Sequence, residues 1–231
     1  MNQGIYSAAA AMDAAGRRLD SVANNLANAS SVGFKRTSSA FSAVLASQDG
    51  PLQIQRTQQT DYSQGELLRT GNPLDVALHG EGYFGVELPD GEGYTRNGSF
   101  RLTQDGALVT EDGYPVAWER RNSAIDPLGD SILVDSSGMV TQGQAQIGRL
   151  RIANFSDPSM LAEGEGGFLR AGPGVMEVAH EAEVHQGSLE GSNVNPVDEL
   201  VAMVEVQRAF GRASNAMSMI EQSYRRLARI Q

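Results

Sequence analysis

The feature that most constrains this chain is an unbroken three-four alternation of apolar residues at each end. Near the start it runs through Ile5, Ala8, Met12, Ala15, Leu19, Val22, Leu26 and Ala29. Near the end it runs through Met203, Val206, Phe210, Ala213, Met217, Ile220, Tyr224 and Leu227. Each run is an a/d seam, the pattern that holds one stripe of a helix against a partner. In a chain that is 40% apolar, eight hits in a row arise by chance roughly once in a thousand tries per frame. A seam at both termini therefore points to ends that pack together, and to an assembly subunit rather than an enzyme.

The spacing predicts a first helix from about residue 4 to about 28, stopped between Asn28 and Gly33, with Gly33 suited to a left-handed stop. The last helix opens on a capping signal: Asn195 to cap, Pro196 in the first turn, and Asp198 and Glu199 where the helix dipole favours acids. Its arginines Arg225, Arg226 and Arg229 fall in the last turns, where positive charge is favoured. Small residues flank both seams: Ala9, Gly16 and Ala23 in the first helix, Ala202, Ala209, Ala216 and Ser223 in the last. Small flanks let neighbouring backbones approach closely, which favours packing among several helices. An intramolecular hairpin closing one domain is the alternative.

Between the helices the pattern changes. Residues 31–70 are polar and weakly periodic, and Gln53, Gln55, Gln58 and Gln59 have no core to serve; an extended linker is expected, with room for a hairpin. From 71 to 186 the dipeptides Asp90-Gly91, Asn97-Gly98, Asp105-Gly106 and Asp112-Gly113 recur as hairpin-turn signals that tolerate positive φ. Short β-rich runs lie between and beyond them, at Tyr83–Leu88, Ser99–Leu102, Ala107–Thr110 and Leu150–Phe155. The expected fold is α+β: terminal helices (1–30 and 187–231) paired as a coiled-coil-like domain, with an inserted all-β domain, an antiparallel meander or small barrel, over 71–186.

Charge and composition exclude several functions. Of the net −10, residues 1–45 carry +2 and residues 196–231 carry +1, so the middle carries −13. No basic stripe exists to offset nucleic-acid phosphates. No run is long enough to span a membrane, so no membrane insertion is expected. Cysteine is absent, which removes disulfides, thiolate metal sites and cysteine nucleophiles. Residues 1–12 lack the basic n-region and long apolar run of a secretory signal, so an exported chain of this kind is expected to use another route.

Catalytic, cofactor and metal sites are not expected. Gly80-Glu81-Gly82-Tyr83-Phe84-Gly85 has dinucleotide-loop spacing but leads into a strand-like run rather than the helix such a loop requires. His180 and His185 lie near Glu181 and Glu183, which reads as a solvated acidic edge strand, since 181, 183 and 185 would share a face and 180 would not. A carbohydrate-binding β domain displayed on a helical stalk is the rival class. It calls for a concave aromatic platform, which Trp118 and the scattered tyrosines do not supply.

Three strings now carry a resemblance. Val22 to Asn28, with Asn24, Asn25, Leu26 and Asn28, followed by Gly33-Phe34-Lys35, resembles the signature of the flagellar rod, hook and hook-associated proteins. Asn72 to Ala77 and Tyr94 to Phe100 are similar to the central domain of the rod and hook members. Gly187 to Val194, with Ser192 and Asn193, leading into Met203–Phe210, is similar to their C-terminal motif. The resemblance covers nearly the whole chain. It implies a helical tube with terminal helices inside and the β domain outside, partnered by other rod proteins and by copies of itself. It also implies export through the flagellar type III apparatus without cleavage, to a periplasmic rod. The opening Asn2 to Met12 resembles the proximal-rod F type more than the distal-rod G type. Ser156 to Leu161 departs from the family's usual Asn-Pro-x-Gly-Leu run.

Overall fold

The computed structural model describes residues 3–44 and 53–228. Its fold is α+β, and the chain divides into two units: Met1–Ala29, Arg36–Asp61 and Val194–Gln231 in one, Ser30–Lys35 and Tyr62–Asn193 in the other. In the first unit, alanine-rich and proline-free sequence forms helix α1, Gln3–Ala27. Asn28 closes it, its backbone N–H donating to the Asn24 carbonyl (3.1 Å) and its side-chain amide to Asn24 Oδ1 (2.7 Å). Gly33 is indeed left-handed, at φ 69°, but it stands beyond the helix end and serves another purpose.

Helix α2, Pro196–Ala228, starts at the cap its sequence predicts, with the Val197 N–H donating to Asn195 Oδ1 at 3.0 Å. The two helices pack against each other. Ile220 reaches the position a Cβ on Gly4 would touch, so the start of α1 meets the far half of α2 and the pair is antiparallel. Buried against one another are Ala8, Ala15 and Val22 of α1 and Glu199 and Val206 of α2. Strands Thr37–Val44 and Gln53–Thr60 form an antiparallel ribbon in the same unit, in register Thr37↔Thr60 to Val44↔Gln53. Residues 45–52 lie outside the description.

The second unit is antiparallel β. A six-stranded sheet runs Leu161–Glu163, Leu169–Ala171, Gly91–Thr95, Tyr83–Leu88, Ile152–Phe155, Glu177–Val178. A four-stranded sheet runs Ile132–Val134, Met139–Gln142, Ala145–Leu150, Trp118–Arg121. Short pairs join Val76–His79 to Glu183–Gln186 and Leu67–Arg69 to Ser188–Glu190. Sequence neighbours pair at Tyr83–Leu88 with Gly91–Thr95, but Ile152–Phe155 pairs on the other edge of Tyr83–Leu88, so distant parts of the chain close the sheet.

Strand Tyr83–Leu88 is buried on both faces: Tyr83 joins a cluster with Tyr94 and Phe155, while Phe84 joins the main core with Val76, Leu78, Phe100 and Ile147. Phe84 meets Phe100 edge-on at 5.3 Å between ring centroids. Among the predicted turn glycines, Gly91, Gly106 and Gly113 take positive φ, as their Asp-Gly dipeptides anticipate. Gly98 does not. A Cβ there would strike the Val76 carbonyl, and Val76 N–H donates to Gly98 O at 3.0 Å, so glycine is needed for close backbone approach.

The rim of the six-stranded sheet is tied by charge. Arg151 grips Glu177 with two bonds of 2.7 and 2.6 Å and reaches Glu92 at 3.1 Å. The bidentate Arg151 guanidinium holds Glu177 below the usual carboxylate range, and the Arg170 side chain does the same for Asp90. A depressed folded value means the contribution is complete above the unfolded pKa and lost as pH falls through the folded one. The acid limb of a denaturation midpoint profile, from about pH 5 down to about pH 2, is therefore expected to flatten in Arg151→Met; an unchanged limb would contradict this. Phe84→Ala is expected to cost about 3–5 kcal/mol in urea unfolding, and a loss below about 1 kcal/mol would contradict the two-core reading.

Candidate functional site: the terminal helices and a buried ionic clamp

The predicted seam residues differ in their surroundings. Val22 and Val206 are buried, Met12, Leu19, Leu26, Met203, Met217 and Ile220 are half-buried, and Phe210 is exposed. Ile5, Tyr224 and Leu227 stand on the helices, with side chains outside the described residues. Ala8, Ala15, Val22 and Val206 are thus enclosed within the helix pair, while the half-buried positions and Phe210 keep an open edge.

The motif asparagines act inside the chain. Asn25 is buried, and its amide copies a strand partner: Nδ2 donates to the Thr37 carbonyl (2.8 Å) while Oδ1 accepts from the Thr37 N–H (2.9 Å). Ser21 Oγ donates to the same carbonyl at 2.8 Å. Only a primary amide offers donor and acceptor together in this way. Asn24 and Asn28 form the helix stop described above. Beside them, Arg36 Nε donates to the buried carboxylate of Glu199 at 2.6 Å, joining the ribbon to the first turn of α2.

In the second unit Gly33 meets a residue that sequence reasoning did not single out, Glu190, and Phe34 and Asn193 meet each other, the Asn193 N–H donating to Phe34 O at 3.4 Å. The Glu190 carboxylate is fully buried, with Lys35 Nζ at 2.5 Å on one oxygen and Arg96 Nη1 at 3.0 Å on the other. The Gly65 N–H also donates to it at 3.1 Å. Lys35 and Arg96 are themselves only 8% and 7% exposed, so all three charges are withdrawn from water. The surplus positive charge is met by carbonyls: Lys35 donates to Ser63 O at 2.7 Å and Arg96 to Gly80 O at 2.8 Å. Arg96 also lies over the Tyr83 ring, 5.3 Å from its centroid. Burial pushes the Tyr83 phenol up to about 12 even against the pull of Arg96.

Backbone contacts complete the clamp. Gly33 N–H donates to Glu190 O at 2.7 Å, and a Cβ on Gly33 would stand 2.7 Å from the backbone of Arg96 and Asn97. Asn193 donates through Nδ2 to Ser63 O and Oγ, both at 3.1 Å. The ends of the second unit's two segments are thereby tied to each other. Lys35 and Arg96 lie 155 and 94 residues from Glu190, which is why no local pattern marks the group; each reads alone as a solvated surface charge.

No catalytic or ligand constellation accompanies this framework among the described residues. Gly80–Gly85 leads into strand Tyr83–Leu88. His79 and His185 meet edge-on at 5.9 Å on adjacent strands, with Glu183 exposed beside them, and no cluster of His, Cys, Asp or Glu suited to a metal occurs among the described residues. Tyr83 and Tyr94 are spent in the core and Trp118 is half-buried beneath Arg121, so they form no open aromatic platform. Among the described residues no helix is long and apolar enough to cross a membrane.

Known families match these same segments. Residues 5–35 match the family described as flagella basal body rod protein, 77–142 the flagellar hook protein FlgE/F/G D1 domain, and 185–230 the flagellar basal body rod FlgEFG protein C-terminal family. The flagellar basal-body rod protein FlgF of Caulobacter vibrioides is 35% identical over 213 residues, covering 87% of this chain and 86% of its own. The chain belongs to the flagellar basal-body rod family. FlgG of Buchnera aphidicola subsp. Schizaphis graminum is 34% identical over 255 residues, covering 95% and 96%, and FlgF of Rhizobium meliloti is 33% identical over 225, covering 94% and 92%. The rod protein described here is a structural subunit. The first and third matched segments contain the Asn25 and Glu190 contacts, so both of these motif regions carry intrachain ties.

Glu190→Gln keeps the side-chain shape but leaves two buried cations without a counter-charge. It is expected to cost about 3–5 kcal/mol in urea unfolding, whereas Asn25→Ala is expected to cost about 1–3 kcal/mol. A Glu190→Gln loss below about 1 kcal/mol would contradict the clamp.

Proposed function

We propose that this rod protein is the proximal-rod F-type subunit, polymerising through its terminal helices into a tubular drive shaft that transmits torque. In this reading the helices pair in coiled-coil fashion, residues 1–30 and 187–231 forming the inner wall, 71–186 the outer β layer and 31–70 the connection. The half-buried positions Met12, Leu19, Leu26, Met203, Met217 and Ile220, with exposed Phe210, offer edges to neighbours. Partners are copies of itself and adjoining rod proteins, and the chain reaches the periplasm through the flagellar type III apparatus without a cleaved signal.

Alignment length is the observation that carries the F-type reading. The two F-type relatives align over 213 and 225 positions while covering 87% and 94% of the 231 residues. About 201 and 217 residues of this chain are therefore used, leaving about 12 and 8 positions with no residue here. The G-type alignment uses about 219 residues in 255 positions, leaving about 36. The chain thus lacks a stretch that the G-type relative carries. A distal-rod G-type role is the second reading, favoured by that relative's 95% coverage. Immunogold labelling of isolated basal bodies separates the two: label at the inner-membrane end of the rod supports the F type, and label at the hook end overturns it.

Val22→Asp and Val206→Asp each bury an unpaired charge in the helix pair, a penalty of several kcal/mol. Both are expected to abolish swimming on soft agar and incorporation into basal bodies. Normal motility in both would contradict a helix-built wall.

A further inference from the structure

Helix α2 is apolar on two opposite faces. Its inward face carries Glu199 and Val206, which are buried. At about 100° per residue, Val197, Leu200, Val201 and Val204 fall on the far side, and all four are between 48% and 65% exposed. A helix apolar on both sides is built to be covered on both sides, and α1 covers one. We propose that the outer face of α2 docks on α1 of a second copy of this chain, along the small-residue line Ala9, Gly16 and Ala23. This inference rests on the rod-subunit reading and names the contact that reading leaves open.

Shape and charge select that occupant. Val197 and Val204 are seven residues apart, as are Ala9, Gly16 and Ala23, so ridge and groove share a repeat of about 10.5 Å. Ala9 and Ala23 are exposed, and a Cβ on Gly16 would meet nothing within 4 Å, so the groove is open in the single chain. An antiparallel register that sets Val204 over Gly16 sets Val197 over Ala23. In that register Glu205 falls two residues from Arg17 and Arg208 one residue from Asp13, with the charged pairs on facing flanks of the two helices. Arg17 and Asp13 hold each other at 3.1 Å in the single chain, and both are exposed. The contact joins two different surfaces, so it is heterologous and propagates instead of closing into a dimer.

The absence of cysteine makes disulfide trapping clean. Full-length chain carrying Gly16→Cys and Val204→Cys together is expressed in place of the wild type, and isolated basal bodies are oxidised. The expected result is a ladder of disulfide-linked species at whole multiples of the chain's mass, starting at twice that mass, which neither single variant forms. Gly16→Leu fills the groove and Val201→Asp charges the ridge. Each is expected to reduce incorporation at least tenfold without lowering the melting of the purified monomer, since both positions are open there. If the chain enters basal bodies but no linked species forms and Gly16→Leu incorporates normally, the docking inference is overturned and the rod reading stands. A linked species whose mass is not a whole multiple of the chain's overturns the second-copy occupant. Absence of the wild-type chain from basal bodies overturns the rod reading, and this inference with it.

Discussion

The buried carboxylate of Glu190 is the interaction on which the second unit depends. A single negative charge removed from water is costly unless it is paired and hydrogen-bonded on both oxygens. Here Lys35, Arg96 and the Gly65 N–H meet that demand together. Each comes from a different stretch of chain, so the carboxylate is satisfied only when all of them are home. The demand for pairing becomes a demand for a particular arrangement of the unit's segment ends. Gly33 follows from the same constraint: its N–H binds the Glu190 carbonyl, and its missing side chain admits the backbone of Arg96.

In the first unit the comparable constraint is the backbone of Thr37, whose N–H and carbonyl are both satisfied by one buried asparagine amide. That tie fixes where the ribbon begins relative to α1, and the Arg36–Glu199 bond fixes it relative to α2. The helices themselves bury small residues, Ala8 and Ala15, against one another, a pairing that gains little apolar area per residue. Val197, Leu200, Val201, Val204 and Phe210 of α2 are left on the outside. A subunit organised this way holds its hydrophobic reserve for its neighbours, which suits a structural member of a rod.

What sequence made legible follows from the range of the interactions. The terminal helices were readable because a seam repeats every few residues, and the α2 start because Asn195, Pro196, Asp198 and Glu199 act within one turn. Strand Tyr83–Leu88 and the glycines at 106 and 113 were readable for the same reason. The clamp was not, because Lys35 and Arg96 lie far from Glu190 along the chain and no spacing links them. Gly98 looked like one more positive-φ turn residue, yet it is required by a carbonyl more than twenty residues upstream. The apolar outer stripe of α2 lies off the seam: with Met203 and Val206 on one side of the helix, Val197, Leu200, Val201 and Val204 fall on the other, and the seam's three-four alternation does not include them.

Glu190 is expected to hold the second unit's segment ends as firmly as its core is held. Native-state hydrogen exchange tests this most directly, comparing the amides of Gly33 and Gly65, which donate to Glu190, with that of Val76, which donates to Gly98 within the core. If the clamp is integral, all three exchange only through global unfolding and report the same opening free energy. Exchange of Gly33 and Gly65 that is orders of magnitude faster than that of Val76 would contradict this.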